Sequence, residues 1–289
     1  MAFIGGVSPL PAAAEGRHAL LVGISDYGNP DNDPDRWSDI SGANDITLLS
    51  PLLESQGFTV TSLADSAATY SAITSALSTL TGSASPGDMV YLHFSMHGQP
   101  FEDLDGDEAD GWDEALIPVD ARLVYTAGVY EGENHLLDDE LEKYISALRT
   151  CLGPDGDLIV VLDACHSGTA SRGTAGHIRG VREGFTRSGL DYYPDTTTET
   201  NDYFEVSTSE GQSPVTFVEA CRSYQVNREV RDPQTDIWYG SVSYYMAKAL
   251  AAHPLSRDME WLRTLRAGFS ADRKLRRQNL VVESSGVPD

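Results

Sequence analysis

The sequence is poor in cysteine, in basic residues and in long apolar runs, and each shortage argues against a class of protein. Three cysteines among 289 residues (Cys151, Cys165 and Cys221) cannot form a disulfide framework. Twenty basic against 44 acidic residues give a net charge of −24, which disfavours binding to phosphate backbones and to anionic membranes. No apolar run approaches the roughly 20 residues that a membrane-spanning helix needs. We therefore expect no nucleic-acid and no membrane partner.

The length and composition favour one folded domain that follows a short extension. With 40% hydrophobic residues, a chain of 289 residues can bury a core without disulfides or metals. Residues 1–16 are small and apolar and contain Ala12-Ala13-Ala14, which resembles a signal-peptidase site, but they lack a basic n-region. We expect an N-terminal extension or signal-peptide remnant over 1–16 and one domain over 17–289. The compartment stays open between the cytoplasm and export.

Strand patterns alternate with helical patterns along the chain. Apolar or alternating runs predict strands at 19–24, 58–63, 89–94, 158–162 and 215–218. Helical spacing predicts helices at 44–56, 69–80, 136–148, 240–252 and 258–268. Near-continuous apolar strands between helices are typical of parallel sheets that are covered on both sides. We therefore predict an α/β fold, a three-layer sandwich with a mainly parallel central sheet and helices on both faces.

The stretch from 169 to 213 interrupts this alternation. It is rich in Gly, Thr, Ser and Arg, and its residues 191–202 are almost wholly polar or aromatic. Long segments without secondary structure inside a compact domain are usually functional loops or linkers. We expect a flexible linker here, and it carries four arginines, Arg172, Arg179, Arg182 and Arg187.

Two predicted strands run into residues that can form a nucleophile and its base. Strand 89–94 is followed by Ser95-Met96-His97-Gly98, and strand 158–162 is followed by Asp163-Ala164-Cys165. The carboxyl ends of parallel neighbours meet at one edge of a sheet, so His97 and Cys165 would lie side by side, as a thiol and its proton acceptor require. The glycine after the histidine can offer its N–H to an oxyanion. The alternative is that Cys165 is an inert buried thiol.

These motifs resemble those of the caspase–haemoglobinase fold, and within it those of the metacaspases and their bacterial relatives. The histidine motif of that family is similar to Ser95-x-His97-Gly98, and its cysteine motif is similar to Asp163-x-Cys165-His166-Ser167-Gly168. Further similar segments lie at 19–27, 42–45, 103–120, 137–140, 219–225 and 239–245. Several independent motifs in the same order make the resemblance specific, and it implies a caspase-like fold and a thiol protease.

The resemblance implies a catalytic role for three residues. Cys165 would be the nucleophile, and His97 would take the thiol proton and protonate the leaving amine. The backbone N–H groups of Gly98 and Cys165 would form the oxyanion hole.

The resemblance also implies an acidic pocket that accepts a basic side chain. Asp45 and Asp163 match its carboxylates, Ser95 matches a serine at its border, and Cys221 matches a residue of the substrate-facing segment. Paired carboxylates that hold a guanidinium favour Arg or Lys at P1, the residue before the scissile bond. Two alternatives remain: Asp45 as the N-cap of its helix, and Cys221 as a buried thiol.

The resemblance further implies calcium ligands. Asp113, Asp138 and Asp139 match acids of the family's calcium site, but Arg172 stands where the family has another Asp. Losing one oxygen ligand and gaining a positive charge weakens a Ca²⁺ site. We therefore expect that no cofactor is required, with calcium binding as the alternative.

The sequence thus predicts a monomeric cysteine endopeptidase that cleaves peptides or proteins after Arg or Lys. The arginines of the 169–213 segment make that segment a candidate for self-processing. The alternative is a catalytically silent, caspase-like interaction module.

Overall fold

The structure, a computed structural model, describes residues 16–29, 31, 33, 35–106, 108, 110–165, 178–181, 183–193 and 203–285. Most of the predicted 1–16 extension and part of the predicted linker, including Arg172 and Arg182, lie outside these residues. Within them, no helix combines the length and the apolar character that crossing a bilayer requires.

The described residues form twelve strands and five α-helices. The strands are β1 (Arg17–Gly23), β2 (Thr59–Ala64), β3 (Met89–Ser95), β4 (His97–Glu102), β5 (Trp112–Ile117), β6 (Leu136–Leu137), β7 (Asp157–Leu162), β8 (Tyr203–Glu205), β9 (Val215–Glu219), β10 (Glu229–Arg231), β11 (Trp238–Gly240) and β12 (Val281–Ser284). The helices are α1 (Gly42–Ser55), α2 (Tyr70–Ser83), α3 (Asp138–Leu152), α4 (Ser241–Ala252) and α5 (Glu260–Ala271).

Seven strands form the central sheet, in the order β2-β1-β3-β7-β9-β12-β8. The four pairings from β2 to β9 are parallel, β12 runs antiparallel to β9, and β8 runs parallel to β12. The five strands predicted from the sequence form the parallel part. The predicted α/β fold with a mainly parallel sheet is therefore confirmed.

Alternating side chains of the sheet feed two separate cores. In β1, Leu20 and Val22 belong to one core, whereas Ala19 and Leu21 belong to the other, because successive side chains of a strand point to opposite faces. Helices α2 and α3 contribute to the first core, and α1, α4 and α5 contribute to the second. The sheet with helices on both faces gives the three layers expected from the sequence.

Two smaller sheets were not expected from the sequence. Strands β4, β5 and β6 form an antiparallel sheet directly after β3, and β10 pairs with β11. Strand β4 contains Gly98 and Pro100, residues that usually signal a turn, and β10 and β11 have three residues each. Strand β8 lies inside the predicted 169–213 linker, so that segment is not wholly irregular.

Candidate active site

The two candidate catalytic motifs leave the sheet side by side. Strands β3 and β7 pair in parallel register up to Phe94 and Leu162, and the Asp163 N–H donates to the Phe94 carbonyl oxygen at 2.8 Å. His97 and Cys165 therefore each lie three residues beyond a paired position, at the same edge of the sheet. Both residues thus lie at the predicted edge of the sheet, and their catalytic roles stay predictions.

The surroundings of His97 fix its tautomer. Its Nε2 lies 2.8 Å from the Ser38 carbonyl oxygen, and a carbonyl can only accept, so Nε2 carries the hydrogen. Nδ1 is then the basic nitrogen of the neutral ring, and it has no hydrogen-bond partner within the described part of the chain. The ring packs against both Tyr27 and Trp37, whose ring centroids each lie 5.0 Å from its own. Burial lowers the pKa of His97 to about 4, so the ring is neutral at neutral pH and Nδ1 keeps its lone pair as a hydrogen-bond acceptor.

The thiol of Cys165 is buried and shares an acceptor with a second thiol. Cys165 Sγ donates to the Gln225 carbonyl oxygen at 2.9 Å, and Cys221 Sγ donates to the same oxygen at 3.5 Å. The hydrogen bond between Cys221 and Cys165, together with burial, raises the pKa of the Cys221 thiol. Cys221, expected beside the pocket, thus lies beside the candidate nucleophile.

Asp45 comes from the first turn of α1 and makes contacts away from that helix. Its Oδ2 accepts a hydrogen bond from Ser95 Oγ, and both of its oxygens accept from the Gly240 N–H, at 3.0 and 3.2 Å. The helix begins at Gly42, after Ser41, and has no side-chain cap. The alternative that Asp45 caps its own helix is therefore wrong, since its carboxylate turns toward β3 and β11.

Asp163 is held by a chain of hydrogen bonds through the second core. Its Oδ1 accepts from Asn227 Nδ2 at 2.8 Å, and its Oδ2 accepts from both the N–H and the Oγ of Ser243, at 2.8 and 2.7 Å. Because the Ser243 hydroxyl hydrogen is used on Asp163, Ser243 Oγ accepts from His93 Nε2, and His93 Nδ1 accepts from Tyr91. Burial lowers the pKa of His93 to about 4, which keeps it neutral. The chain fixes the Asp163 carboxylate in one orientation.

The two acids converge on Arg179, which the sequence had assigned to a flexible linker. Arg179 is fully buried, and its Nη2 lies 2.8 Å from Asp45 Oδ2 and 3.1 Å from Glu229 Oε1. Its Nη1 donates to Ser95 Oγ at 2.5 Å and to the Asp163 carbonyl oxygen at 3.1 Å, and it lies 3.5 Å from Asp163 Oδ1. Asp45, Ser95 and Asp163 thus come together around an arginine of the same chain. We refer to this cluster as the pocket, and its role in binding a substrate stays a prediction.

The backbone around Arg179 is aligned along a short extended segment. Ile178 forms an antiparallel bridge with Arg228, and the Arg179 N–H donates to the Asn227 carbonyl oxygen at 3.2 Å. Gly180 then packs against the candidate nucleophile, because a Cβ on Gly180 would lie 3.0 Å from Cys165 Cβ. Arg179 thus lies among buried acids, and the residue after it packs against the backbone and Cβ of Cys165.

The charges of the pocket affect one another. Burial raises the pKa of Asp45 to about 6, although Arg179 opposes this rise. Burial also acts to raise the pKa of Asp163, but Arg179 and the hydrogen bonds from Asn227 and Ser243 outweigh it, so this pKa lies below its usual value. The surrounding carboxylates raise the pKa of Arg179 above its usual value despite burial. Arg179 therefore stays charged.

Comparison with known proteins identifies the family. Residues 17–172, more than half of the chain, match the family model described as metacaspase, peptidase C14 domain. The chain belongs to the metacaspase family.

Curated relatives agree with this assignment, and a solved structure shares the fold. The metacaspase is 36% identical over 165 residues to Metacaspase-1B of Aspergillus fumigatus, which covers 53% of this chain and 36% of that protein. It is 34% identical over 165 residues to Metacaspase-1 of Botryotinia fuckeliana, which covers 53% of this chain and 35% of that protein. The chain thus spans about a third of the length of these relatives. The crystal structure of protein GSU0716 from Geobacter sulfurreducens shares the fold, with a TM-score of 0.60, 19% identity and 95% coverage of each chain.

The acids proposed as calcium ligands of this metacaspase lie on adjacent elements. Asp113 is buried in β5, and Asp138 and Asp139 begin α3. The Glu114 N–H donates to Asp138 Oδ1 at 3.3 Å. Among the residues that the structure describes, no three His, Cys, Asp or Glu side chains group closely enough to hold a metal ion. Calcium binding by these acids stays a prediction, and Arg172 lies outside the described residues.

The oxyanion-hole prediction falls on two residues at this edge. Gly98 is buried in β4 opposite Leu116, and Cys165 follows β7. Their catalytic role stays a prediction.

Sequence reasoning missed several residues that build the pocket of this metacaspase. Ser243 and Gly240 lie in a segment that resembled the family, so a signal for them existed. Glu229 and Asn227 lie in and just before the three-residue strand β10, whose pattern is too short to be recognised. Arg179 gave no signal of burial either, because arginine is among the residues that are least often buried.

Proposed function

We propose that this chain is a cysteine endopeptidase that cleaves proteins and peptides after Arg or Lys, and that one of its substrates is its own Arg179–Gly180 bond. The observation that carries the proposal is Arg179 itself. Its guanidinium is fully buried against Asp45, Asp163 and Glu229, and the next residue packs against Cys165. A buried arginine with three carboxylates around it is the electrostatic match of a basic P1 side chain.

The chemistry follows from the groups at the sheet edge. His97 Nδ1 accepts the Cys165 thiol proton, and the thiolate attacks the Arg179 carbonyl carbon. The N–H groups of Gly98 and Cys165 stabilise the negative charge on the carbonyl oxygen. The C–N bond to Gly180 then breaks, and the protonated imidazole returns the proton to the leaving amine. Water, deprotonated by His97, hydrolyses the thioester, which leaves a carboxylate on Arg179 and regenerates the thiol.

A linker cleaved at this bond has a further consequence. Before cleavage, Arg179 fills the pocket that an external substrate needs. After cleavage, Arg179 is the last residue of the first fragment, so its side chain can move out of the pocket. Self-processing therefore opens the pocket to other substrates.

The alternative, a catalytically silent interaction module, is favoured by one contact. The Cys165 thiol donates to the Gln225 carbonyl oxygen at 2.9 Å, whereas His97 Nδ1 is without a partner in the described part of the chain. An active enzyme must rotate the thiol from Gln225 toward His97. Catalytic hydrogen bonds often form only when substrate is positioned, so we favour the peptidase.

Mass spectrometry of the purified chain tests the proposal. The parent protein should give a new C-terminus at Arg179 and a new N-terminus at Gly180, and Cys165→Ala and His97→Ala should give neither. Arg179→Gln should reduce this cleavage more than tenfold. Arg187→Gln is the matched control, since Arg187 is an exposed arginine of the same segment, and it should leave the cleavage unchanged.

Peptides with Arg, Lys or Asp at P1 test the activity in trans. We expect cleavage of the Arg and Lys peptides and none of the Asp peptide. If no peptide is cleaved and a thiol-reactive probe does not label Cys165, the interaction module is the better description. A preference for Asp would contradict the pocket assignment.

A further inference from the structure

The pocket contains a third carboxylate, Glu229, besides the acid pair formed by Asp45 and Asp163. Glu229 begins β10 and is buried, with 6% of its surface exposed. Its Oε1 lies 3.1 Å from Arg179 Nη2 and also 3.1 Å from Arg179 Nε. Among the described residues, it is the acid that accepts a hydrogen bond from Nε. Glu229 thus binds the edge of the guanidinium that carries Nε and Nη2.

The structure holds Glu229 in that position from two directions. The Ser41 N–H donates to Oε1 at 2.7 Å, and Ser41 Oγ donates to Oε2 at 3.0 Å. The backbone of Glu229 pairs with Gly240, whose N–H in turn donates to Asp45. The carboxylate is therefore fixed before any substrate arrives, which limits the ordering cost of binding.

The Nε hydrogen distinguishes arginine from lysine. Arginine carries Nε–H after its third side-chain methylene, whereas lysine has a fourth methylene there and one ammonium beyond it. In place of the Nε donor, Glu229 Oε1 would face a CH₂ group of lysine. A compact ammonium also cannot reach Asp45, Glu229, Ser95 and the Asp163 carbonyl oxygen together, as the two ends of the guanidinium do. Oε1 would keep the Ser41 N–H as a donor, but the loss of one charge-assisted hydrogen bond weakens the binding of lysine relative to arginine.

We infer that Glu229 is the specificity-determining residue that makes this pocket prefer Arg over Lys at P1. The inference rests on the proposed peptidase function and narrows it. The sequence of the linker agrees, because residues 169–213 contain four arginines and no lysine. Asp45 has a different role: it meets the terminal charge, which arginine and lysine have in common.

The experiment compares kcat/KM for two peptides that differ only in Arg or Lys at P1. It uses the processed enzyme, with active sites counted by titration with a thiol-directed inhibitor. The parent enzyme should cleave the Arg peptide at least tenfold better. Glu229→Gln, which keeps the shape but removes the charge, should lower kcat/KM for Arg at least tenfold and for Lys less than threefold. Asp45→Asn should lower kcat/KM for both peptides, and the Arg-to-Lys ratio should stay within threefold of the parent value.

The outcomes separate this inference from the proposed function. A parent enzyme that cleaves both peptides equally well overturns the inference and leaves the peptidase intact, and this result does not require any variant to fold. If Glu229→Gln lowers kcat/KM for both peptides equally while the melting temperature is unchanged, Glu229 only supports Ser41, and the inference is wrong. If the parent enzyme cleaves neither peptide, the proposed function itself fails.

Discussion

Among single residues, Gly240 shows how little free space surrounds the guanidinium of Arg179. A Cβ on Gly240 would overlap Asp163 Oδ2 and lie 2.5 Å from Arg179 Nη1. We expect Gly240→Ala to block the pocket and to lower kcat/KM for P1 Arg and P1 Lys peptides more than tenfold, because the added methyl group occupies the place of the substrate cation. The measurement is steady-state cleavage of both peptides, with folding checked by circular dichroism.

Gly82 provides the matched control for that substitution. It lies in α2, and a Cβ there would meet no atom within 4 Å. Gly82→Ala should leave cleavage unchanged and stabilise the fold by up to about 1 kcal/mol, since alanine favours a helix over glycine. Equal effects of the two substitutions on cleavage would show that the pocket explanation is wrong.

Glu219 makes the stability of the fold depend on pH. It ends β9 and is half-buried, and burial together with the charges of Glu114 and Glu283 raises its pKa to about 8. The folded protein therefore holds a proton that the unfolded chain releases near pH 4.5. The stabilisation from this proton is complete below pH 4.5 and is lost as the pH rises through 8. Glu219→Gln removes this decrease in stability with rising pH, because the amide does not titrate.

The melting temperature of Glu219→Gln tests this pH dependence. Between pH 5 and pH 8, the parent protein should lose more stability than the variant, by about 2 kcal/mol once the partial exposure of Glu219 is taken into account. The scans are run in EDTA, so that metal binding by nearby acids does not contribute. A variant with the same pH dependence as the parent would contradict the raised pKa of Glu219.

The pocket residues also show how far sequence reasoning reaches. Asp45, Ser95 and Asp163 follow recognisable motifs, and the structure brings them together around one guanidinium. Glu229 contributes as much to that guanidinium, but it lies in a strand of three residues and its partners are distant in sequence. A role that depends on long-range pairing leaves no periodic signal along the chain.

At the scale of elements, Glu102 at the end of β4 fixes part of the segment that follows the pocket. Its Oε2 accepts hydrogen bonds from Thr186 Oγ, the Arg187 N–H and the Ser188 N–H, at 2.7, 2.7 and 2.9 Å. These bonds lower the pKa of Glu102 to about 2, so their stabilisation is present above about pH 4.5 and is lost as the pH falls toward 2. A single carboxylate thus holds a turn that has no regular secondary structure.

Hydrogen exchange measures this contribution. In Glu102→Gln, the amides of Arg187 and Ser188 should exchange about tenfold faster at neutral pH, because hydrogen bonds to a charged acceptor are the stronger kind. Amides of β3 and β7 should keep their protection. Glu54→Gln, at an exposed position of α1, should change neither set. Unchanged exchange at Arg187 and Ser188 would mean that Glu102 does not anchor the turn.

The strands of the central sheet were predictable, and the elements at its edge were not. Strands β3 and β7 are buried over nearly their whole length and read as apolar runs. The 169–213 segment is polar in sequence, yet Arg179 and Phe185 within it are buried. Phe185 lies on Phe101 with ring centroids 5.0 Å apart, and Arg179 is satisfied by acids from three other elements. The burial of these two residues depends on partners that are distant in sequence, and the local sequence pattern carries no information about them.

For the whole molecule, the net charge of −24 makes calcium the cation to test. Among the described residues, no three His, Cys, Asp or Glu side chains group closely enough to hold a metal ion. We expect activity on a P1 Arg peptide and the melting temperature to be the same in EDTA and in millimolar CaCl₂. An activity increase of more than threefold with calcium, absent in Asp113→Asn, would establish the site that the family resemblance implies.

The central sheet also determines what the proposed self-processing would do to the molecule. Cleavage after Arg179 leaves β7 in the first fragment and β9 in the second, and these strands pair in register from Leu158 opposite Val215 to Leu162 opposite Glu219. The second core combines α1 from the first fragment with α4 and α5 from the second. Because neither fragment can bury its apolar face alone, separation would expose most of this core.

We therefore expect the processed enzyme to remain one particle. Native mass spectrometry should give the mass of the intact 31.3 kDa chain plus one water, and two fragments should appear only under denaturing conditions. Cys165→Ala is the uncut control and should elute at the same volume in size-exclusion chromatography, since cleavage changes the connectivity and not the packing. Separate fragments at micromolar concentration would contradict the shared core, and a particle of twice this mass would contradict the expected monomer.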